Sequence, residues 1–261
     1  MTIEFYKYQG TGNDFILIDN RKSKLQLSYA RIKFMCNRHF GIGADGLILL
    51  EGEISYDFKM VYYNSDGHEG SMCGNGGRCV MAFAKDLGII KEKARFLAID
   101  GPHDALLLPN DVVSLKMNDV KNIEVDKDHF YLNTGSPHYI QQAEKVRDLN
   151  IVEEGRKIRN SDRFKEEGTN VNFMEKFDDH IYIRTYERGV EDETLSCGTG
   201  VTATALAAAC LGISTSKNNC SVRTQGGMLN VKFDKVLGNT FYNIWLEGPA
   251  HFVFKGTIDI E

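Results

Sequence analysis

The sequence predicts an α+β protein of two duplicated halves. Each is a curled, mostly antiparallel sheet around a central helix, and the active site falls in the cleft between them. Three observations lead there: an internal repeat, a long succession of strand-like runs, and two helices that open on matching Cys-Gly-x-Gly turns. Laying residues 73–89 on 197–213 gives seven identities in seventeen positions, where chance at roughly 6% per position gives about one. Within one residue of the same offset, Gly12-Asn13 falls on Gly135-Ser136, Gly43-Ala44-Asp45 on Gly168-Thr169-Asn170, and Tyr63-Asn64 on Tyr186-Glu187. The halves therefore meet near residue 118.

In chain order, 3–8 and 14–19 read as strands from their alternation and their β-branched or aromatic content, and 28–37 as an outer amphipathic helix. Strands follow at 47–51 and 57–63, then a helix over 75–88 that begins after the first cysteine turn and stops at Leu-Gly. Strands at 96–99, 105–108 and 112–117 complete the first half. The second half repeats the pattern, with strands at 130–134 and 138–142, an outer helix at 148–159, and strands at 171–175 and 181–186. A helix at 199–212 and strands at 221–224, 228–233 and 241–246 close it. The helix at 199–212 is apolar or small all round, so it must be enclosed on every side. A sheet curled around it is the simplest packing that does so.

Composition narrows the function. With 42% hydrophobic and 26% charged residues the chain is an ordinary globular protein rather than a disordered one. A formal charge of −5 and a pI near 5.8 lack the basic excess of a nucleic-acid binder. Twenty-five glycines against four prolines favour tight turns and close backbone approach over linkers. Six cysteines are too few for a disulfide scaffold in a chain this long, and the N-terminus lacks the basic and apolar pattern of a signal peptide. Residues 194–216 carry no charge, but their Thr, Ser and Gly content reads as a buried helix, not a membrane span. The expectation is a reduced, cytoplasmic protein bound to neither nucleic acid nor membrane; a homodimer is compatible with the sequence.

The two cysteine turns hold the chemistry. A helix N-terminus presents converging N–H groups and the positive end of the helix dipole, which favours a thiolate on Cys73 or Cys197, or an anion beside it. Redox proteins usually carry both sulfurs on one C-x-x-C turn, and zinc needs about four ligands that the histidine and cysteine spacing does not offer. Two sulfurs facing one ligand suit acid–base work from both sides. One thiolate removes a proton from carbon and the other thiol returns a proton to the opposite face, which inverts a stereocentre.

These motifs resemble the diaminopimelate epimerase family over essentially the full length. They are Gly-Thr-Gly-Asn-Asp-Phe at 10–15, Asn-Arg-His-Phe-Gly-Ile-Gly-Ala-Asp-Gly at 37–46, Tyr-Asn-Ser-Asp-Gly at 63–67, and Cys-Gly-Asn-Gly-Gly-Arg-Cys at 73–79. Gly-Ser-Pro-His at 135–138, Tyr-Glu-Arg-Gly at 186–189 and Cys-Gly-Thr-Gly at 197–200 complete the set. The resemblance implies two pseudosymmetric barrel-like domains, 1–118 and 119–248, with a C-terminal strand at 249–261 returning to the first. It implies a cofactor-independent, metal-free epimerase interconverting LL- and meso-diaminopimelate for lysine and peptidoglycan precursors, with Cys73 and Cys197 as the acid/base pair. Asn13, Asn64, Asn170, Glu187 and Arg188 would bind the distal amino and carboxylate groups. Gly74, Asn75, Gly198 and Thr199 would hold the reacting α-carboxylate.

Two departures stand out. Ser136 replaces the usual Asn of Gly-Asn-Pro-His, and Val-Glu-Asp-Glu-Thr at 190–194 is one residue longer than the usual loop. Ser136 and His138 suit supporting roles. Cys36, Cys79, Cys210 and Cys220 read as small buried residues, and Asp14, Asp45 and His39 as braces for turns. Arg78 suits either solvent or interior. The rivals are a proline or hydroxyproline racemase of the same architecture, whose second turn typically reads Ser-Pro-Cys where this chain has Leu195-Ser196-Cys197, and a thiol redox or small-anion binding protein.

Overall fold

Aromatic and β-branched alternation at the N-terminus forms β1 (Thr2–Gly10), which turns through Thr11 and Gly12 into the apolar β2 (Asn13–Asp19). Ser28 then accepts from the Arg31 N–H and caps α1 (Tyr29–Cys36). Next come β3 (Gly46–Glu51), β4 (Lys59–Asn64), the glycine-rich α2 (Gly74–Asp86), β5 (Lys93–Ala98), β6 (Gly101–Leu108) and β7 (Val112–Lys116). This computed structural model describes residues 1–236 and 238–260; Leu237, and Glu261 at the end of the expected returning strand, lie outside the described residues.

The second series opens with the two-residue β8 (Glu124–Val125). It continues through β9 (His129–Asn133), β10 (Pro137–Gln142), α3 (Ile151–Arg159), β11 (Asn170–Lys176), β12 (Ile181–Glu187) and the short β13 (Asp192–Thr194). After α4 (Gly198–Cys210) come β14 (Asn219–Thr224), β15 (Gly227–Val236), β16 (Thr240–Pro249) and β17 (His251–Asp259). The chain divides into two compact units, Met1–Leu115 with Gly248–Glu261, and Lys116–Glu247.

In the first unit β1 pairs antiparallel with both β17 and β2, β2 runs parallel to β3, β3 pairs antiparallel with β4, and β4 touches β5 in parallel. Antiparallel β5–β6 and β6–β7 ladders extend the sheet. The second unit repeats each step. β9–β10 is antiparallel, β10–β11 parallel, β11–β12 antiparallel, β12–β14 parallel, and β14–β15 and β15–β16 antiparallel. The repeat is therefore a repeat of topology as well as of residues. Each sheet bends around its own helix: α2 touches β1, β2, β3, β4, β6 and β17, and α4 touches β9, β10, β11, β12, β14 and β15.

Enclosure explains the odd composition of α4. Val201, Ala203, Ala205, Leu206, Ala207 and Ala208 are all fully buried, as a helix without a polar face must be. Both central helices end at a glycine in the left-handed region, Gly88 at φ +70° and Gly212 at φ +71°. There the Ile89 and Ile213 amides bond back to the Ala84 and Ala208 carbonyls.

A few boundaries differ from the sequence reading. The strand expected from residue 57 starts at Lys59, because Asp57 and Phe58 instead exchange hydrogen bonds with the Arg95 and Leu97 backbone. The helix expected from 148 starts at Ile151; a 3-10 turn over Val146–Asp148 precedes it, and Asn150 caps it by accepting from the Glu153 N–H. β8 and β13 escape a pattern search because two or three residues carry no periodicity. Among the described residues, no helix is long and apolar enough to cross a membrane.

Candidate active site

Cys73 and Cys197 occupy the same local position, the N-cap of α2 and of α4. Their backbones are extended and nearly alike, φ −103°, ψ 121° and φ −115°, ψ 112°. Each carbonyl accepts the first helical bond, from Gly77 N–H and Val201 N–H respectively. Neither sulfur caps its helix, and each lies beside a first turn whose N–H groups have no intrahelical partner. Glycines are needed there for space. A Cβ on Gly76 would stand 3.1 Å from Ile48, and one on Gly200 would meet Asn172 Oδ1 at 2.5 Å.

In the first unit the structure gathers Asn13, Cys73 and Asn75. The Cys73 thiol donates to Asn13 Oδ1 at 3.6 Å, and Asn75 Nδ2 donates to the same oxygen at 3.1 Å. Asn13 is oriented from its other end, where Nδ2 donates to Asp45 Oδ2 at 2.8 Å. Asp45 and Asp14 in turn share Arg38, and Asp14 also pairs with Lys7 at 2.6 Å. Burial pushes the Asp14 carboxyl up, but Arg38 and Lys7 outweigh it and hold it at about 2. The two aspartates are therefore braces, and Asp45 also sets the direction of Asn13. Asn64 sits exposed at the end of β4, its Oδ1 accepting from the Tyr62 hydroxyl at 2.9 Å.

The second unit builds a longer network. Cys197 Sγ lies 3.4 Å from Thr199 Oγ1, which lies 2.9 Å from His138 Nε2. Asn172 Nδ2 donates to both His138 Nδ1 and the Tyr139 carbonyl, while its Oδ1 accepts from Thr185. Because the carbonyl can only accept, Nδ1 is the unprotonated ring nitrogen and Nε2–H points at Thr199. Burial, then the nearby Arg188 charge, press the His138 pKa down to about 3, so the ring is neutral at physiological pH. Beside it, Asn170 Nδ2 donates to Ser136 Oγ at 2.9 Å, and Asn170 Oδ1 accepts from the Arg188 N–H at 2.9 Å. The Arg188 guanidinium reaches Glu167 O and, at 3.5 Å, Ser136 Oγ. Glu187 accepts from Thr194 at 2.8 Å. Ser136 thus contacts both Asn170 and Arg188, and residues 188–191 form the turn between paired Glu187 and Asp192, where Glu191 is left-handed at φ +57°.

Sequence reasoning missed Tyr62, which meets Asn64 two residues along the same strand, and Asn172 and Thr185, whose contacts run between neighbouring strands rather than through any motif. Arg78, which the sequence left open between solvent and interior, is wholly buried, donating to Gly74 O, Thr11 Oγ1 and Pro249 O. Of the remaining cysteines, Cys36, Cys79 and Cys220 are buried and Cys210 is partly exposed. Burial raises the Cys36 and Cys79 thiols to about 12 and Cys220 to about 11, and pushes Cys210 up as well. They remain thiols at neutral pH. Among the described residues no cluster of three or more His, Cys, Asp or Glu side chains is arranged to hold a metal ion.

Solved structures share this fold. The Bacillus anthracis phenazine biosynthesis protein of the PhzF family aligns with TM-score 0.79 at 14% identity, covering 100% of both chains. A hydroxyproline epimerase from Agrobacterium vitis aligns with TM-score 0.71, also at 14%, over 98% of this chain and 92% of that one. These likenesses define the class, the duplicated fold common to PhzF-type and proline-racemase-type proteins. Sequence narrows it: the family profile for diaminopimelate epimerase matches residues 5–121 and 130–253. The diaminopimelate epimerase of Flavobacterium psychrophilum is 54% identical over 98% of this chain and 100% of its own. That of Chlorobaculum tepidum is 43% identical over 96% and 99%. The chain belongs to the diaminopimelate epimerase family.

Proposed function

We propose that this protein interconverts LL- and meso-diaminopimelate in the cytoplasm, without cofactor or metal, using Cys73 and Cys197 as a two-base pair. The observation that carries the reading is the duplication of one chemical device, a cysteine at the N-cap position of a helix that opens on Gly-x-Gly, in a chain of this family. The sulfur present as thiolate takes the α-proton, and the sulfur present as thiol delivers its own proton to the opposite face of the carbon. Charge and protons balance. The sulfurs exchange roles at each turnover, and exchange with water resets them.

The carbanion is the difficult species. First-turn amides at Gly74 and Asn75, and at Gly198 and Thr199, would hold the α-carboxylate and stabilise its developing charge. Asn13, Asn64, Asn170, Glu187 and Arg188, with Ser136 and His138 behind them, would bind the distal amino-acid head. Binding energy spent there positions the reacting carbon. The product would supply lysine and peptidoglycan precursors.

Incubation with LL-diaminopimelate in heavy water, under reductant and without pyridoxal phosphate, should give meso product with one α-deuterium. Dependence on added pyridoxal phosphate, loss of activity with a chelator, or comparable turnover of proline would overturn the reading.

A further inference from the structure

Tyr62 is a half-buried tyrosine of β4 whose ring is packed against two glycines. In the β3–β4 ladder Gly46 lies opposite Asn64 and Ile48 opposite Tyr62, so the Tyr62 ring can lean across the glycine. A Cβ on Gly46 would stand 2.5 Å from Tyr62 Cε2, and a Cβ on Gly70 would stand 2.7 Å from Cε1. Both edges of the ring therefore rest where a side chain would otherwise be. Phe15 closes edge-on at 6.0 Å, and the Gly70 N–H bonds to the Tyr62 carbonyl at 2.9 Å. What this packing fixes is one hydroxyl, directed at Asn64 Oδ1. The Asn64 backbone is tied down as well, its N–H donating to His68 O and its carbonyl accepting from the Gly67 N–H, each at 2.9 Å.

An exposed asparagine would ordinarily sample several rotamers and both amide orientations. Here Tyr62 engages the oxygen, which fixes the amide orientation, and the NH2 group beside Gly70 is the donor that the side chain offers a ligand. A donor suits a carboxylate and disfavours an ammonium. We propose that Tyr62 is a specificity-determining positioning residue, which holds Asn64 so that its amide donors read the distal carboxylate of the substrate. The inference rests on the epimerase reading above and on the place of Asn64 in it.

The test compares α-hydrogen exchange into diaminopimelate with exchange into lysine, which has the same chain and distal amine but no distal carboxylate. In Tyr62→Phe the ring still fills the space between the glycines and only the hydroxyl is lost. KM for diaminopimelate should rise about tenfold with a much smaller change in kcat, and the ratio of kcat/KM for diaminopimelate over lysine should fall about tenfold, as expected when a pre-positioned charge-assisted contact is loosened. Asn64→Ala should lower the same ratio, and adding Tyr62→Phe to it should lower it no further. If Tyr62→Phe does not fold, Gly70→Ala drives a methyl at the ring and at Asn64 Nδ2, 3.0 Å away, and should lower the ratio in its place. A ratio lowered by Asn64→Ala but untouched by Tyr62→Phe, or lowered equally by Tyr62→Phe in both backgrounds, overturns the role of Tyr62. No effect of Asn64→Ala instead removes Asn64 from the site, and epimerisation that survives Cys73→Ser removes the two-base reading itself.

Discussion

At the scale of single residues, the two cysteines make the sharpest prediction. Serine is far less readily ionised than cysteine, so Cys73→Ser and Cys197→Ser should each block epimerisation in both directions. Each variant keeps one competent sulfur. Deuterium exchange followed by mass spectrometry should therefore show slow exchange from one stereoisomer only, with opposite preference in the two variants; full epimerisation by either would end the assignment. Arg188→Lys should lower kcat/KM for diaminopimelate by about tenfold or more, because an ammonium does not reproduce a planar guanidinium beside a carboxylate. His138 predicts a pH effect. Its folded pKa is about 3 against 6.5 for the free side chain, so between those values the unfolded chain binds a proton that the native ring refuses. Its contribution is complete above pH 6.5 and is lost as pH falls toward 3. Asp14, held at about 2, adds a second loss between its ordinary 3.8 and 2. Urea titrations across pH 3–7 should show stability falling with acid, and His138→Gln should flatten the upper part of that slope.

At the scale of elements, α2 and α4 carry both packing and chemistry. Leu206 is wholly buried on a helix enclosed by strands, so Leu206→Ala should destabilise by about 2–5 kcal/mol in chemical denaturation. Gly88 and Gly212 face open space, so alanine there meets no clash. Their positive φ alone should make Gly88→Ala and Gly212→Ala each cost about 1–2 kcal/mol, equal in the two halves. A loss confined to one of them would show that the two helix ends are not equivalent. Both helices were legible in the sequence: a Cys-Gly-x-Gly start and a Leu-Gly stop each act within one turn. β13 was not, because its pairing with β12 is imposed by the turn between Glu187 and Asp192 and has no pattern of its own.

At the scale of the whole molecule, the first compact unit joins the two ends of the chain. β17 pairs with β1 from Thr2↔Asp259 to Gln9↔His251, the Met1 ammonium donates to Ile260 O, and Ile260 is buried in the same cluster as Ile3, Phe5 and Ile16. Removing residues 251–261 should strip β1 of a partner along most of its length and expose that cluster. Circular dichroism melts should show the first unit's transition lowered or lost, and an unchanged melt would mean that β17 contributes little to the fold.

By itself the sequence determined the duplication, the order of strands and helices apart from β8, β13 and β17, the glycines at both ends of the central helices, and the two cysteines. Each of these is written in a period, a turn or a repeat that neighbouring residues impose on one another. Only the tertiary structure decided that Arg78 is buried, that His138 is neutral between Asn172 and Thr199, that Asp45 aims Asn13, and that Tyr62 lies between Gly46 and Gly70. Those states depend on desolvation and on hydrogen bonds between strands, and the partners are set by sheet register and by the way each sheet closes on its helix. A side chain's local sequence holds neither its distance to those partners nor the water it loses on meeting them.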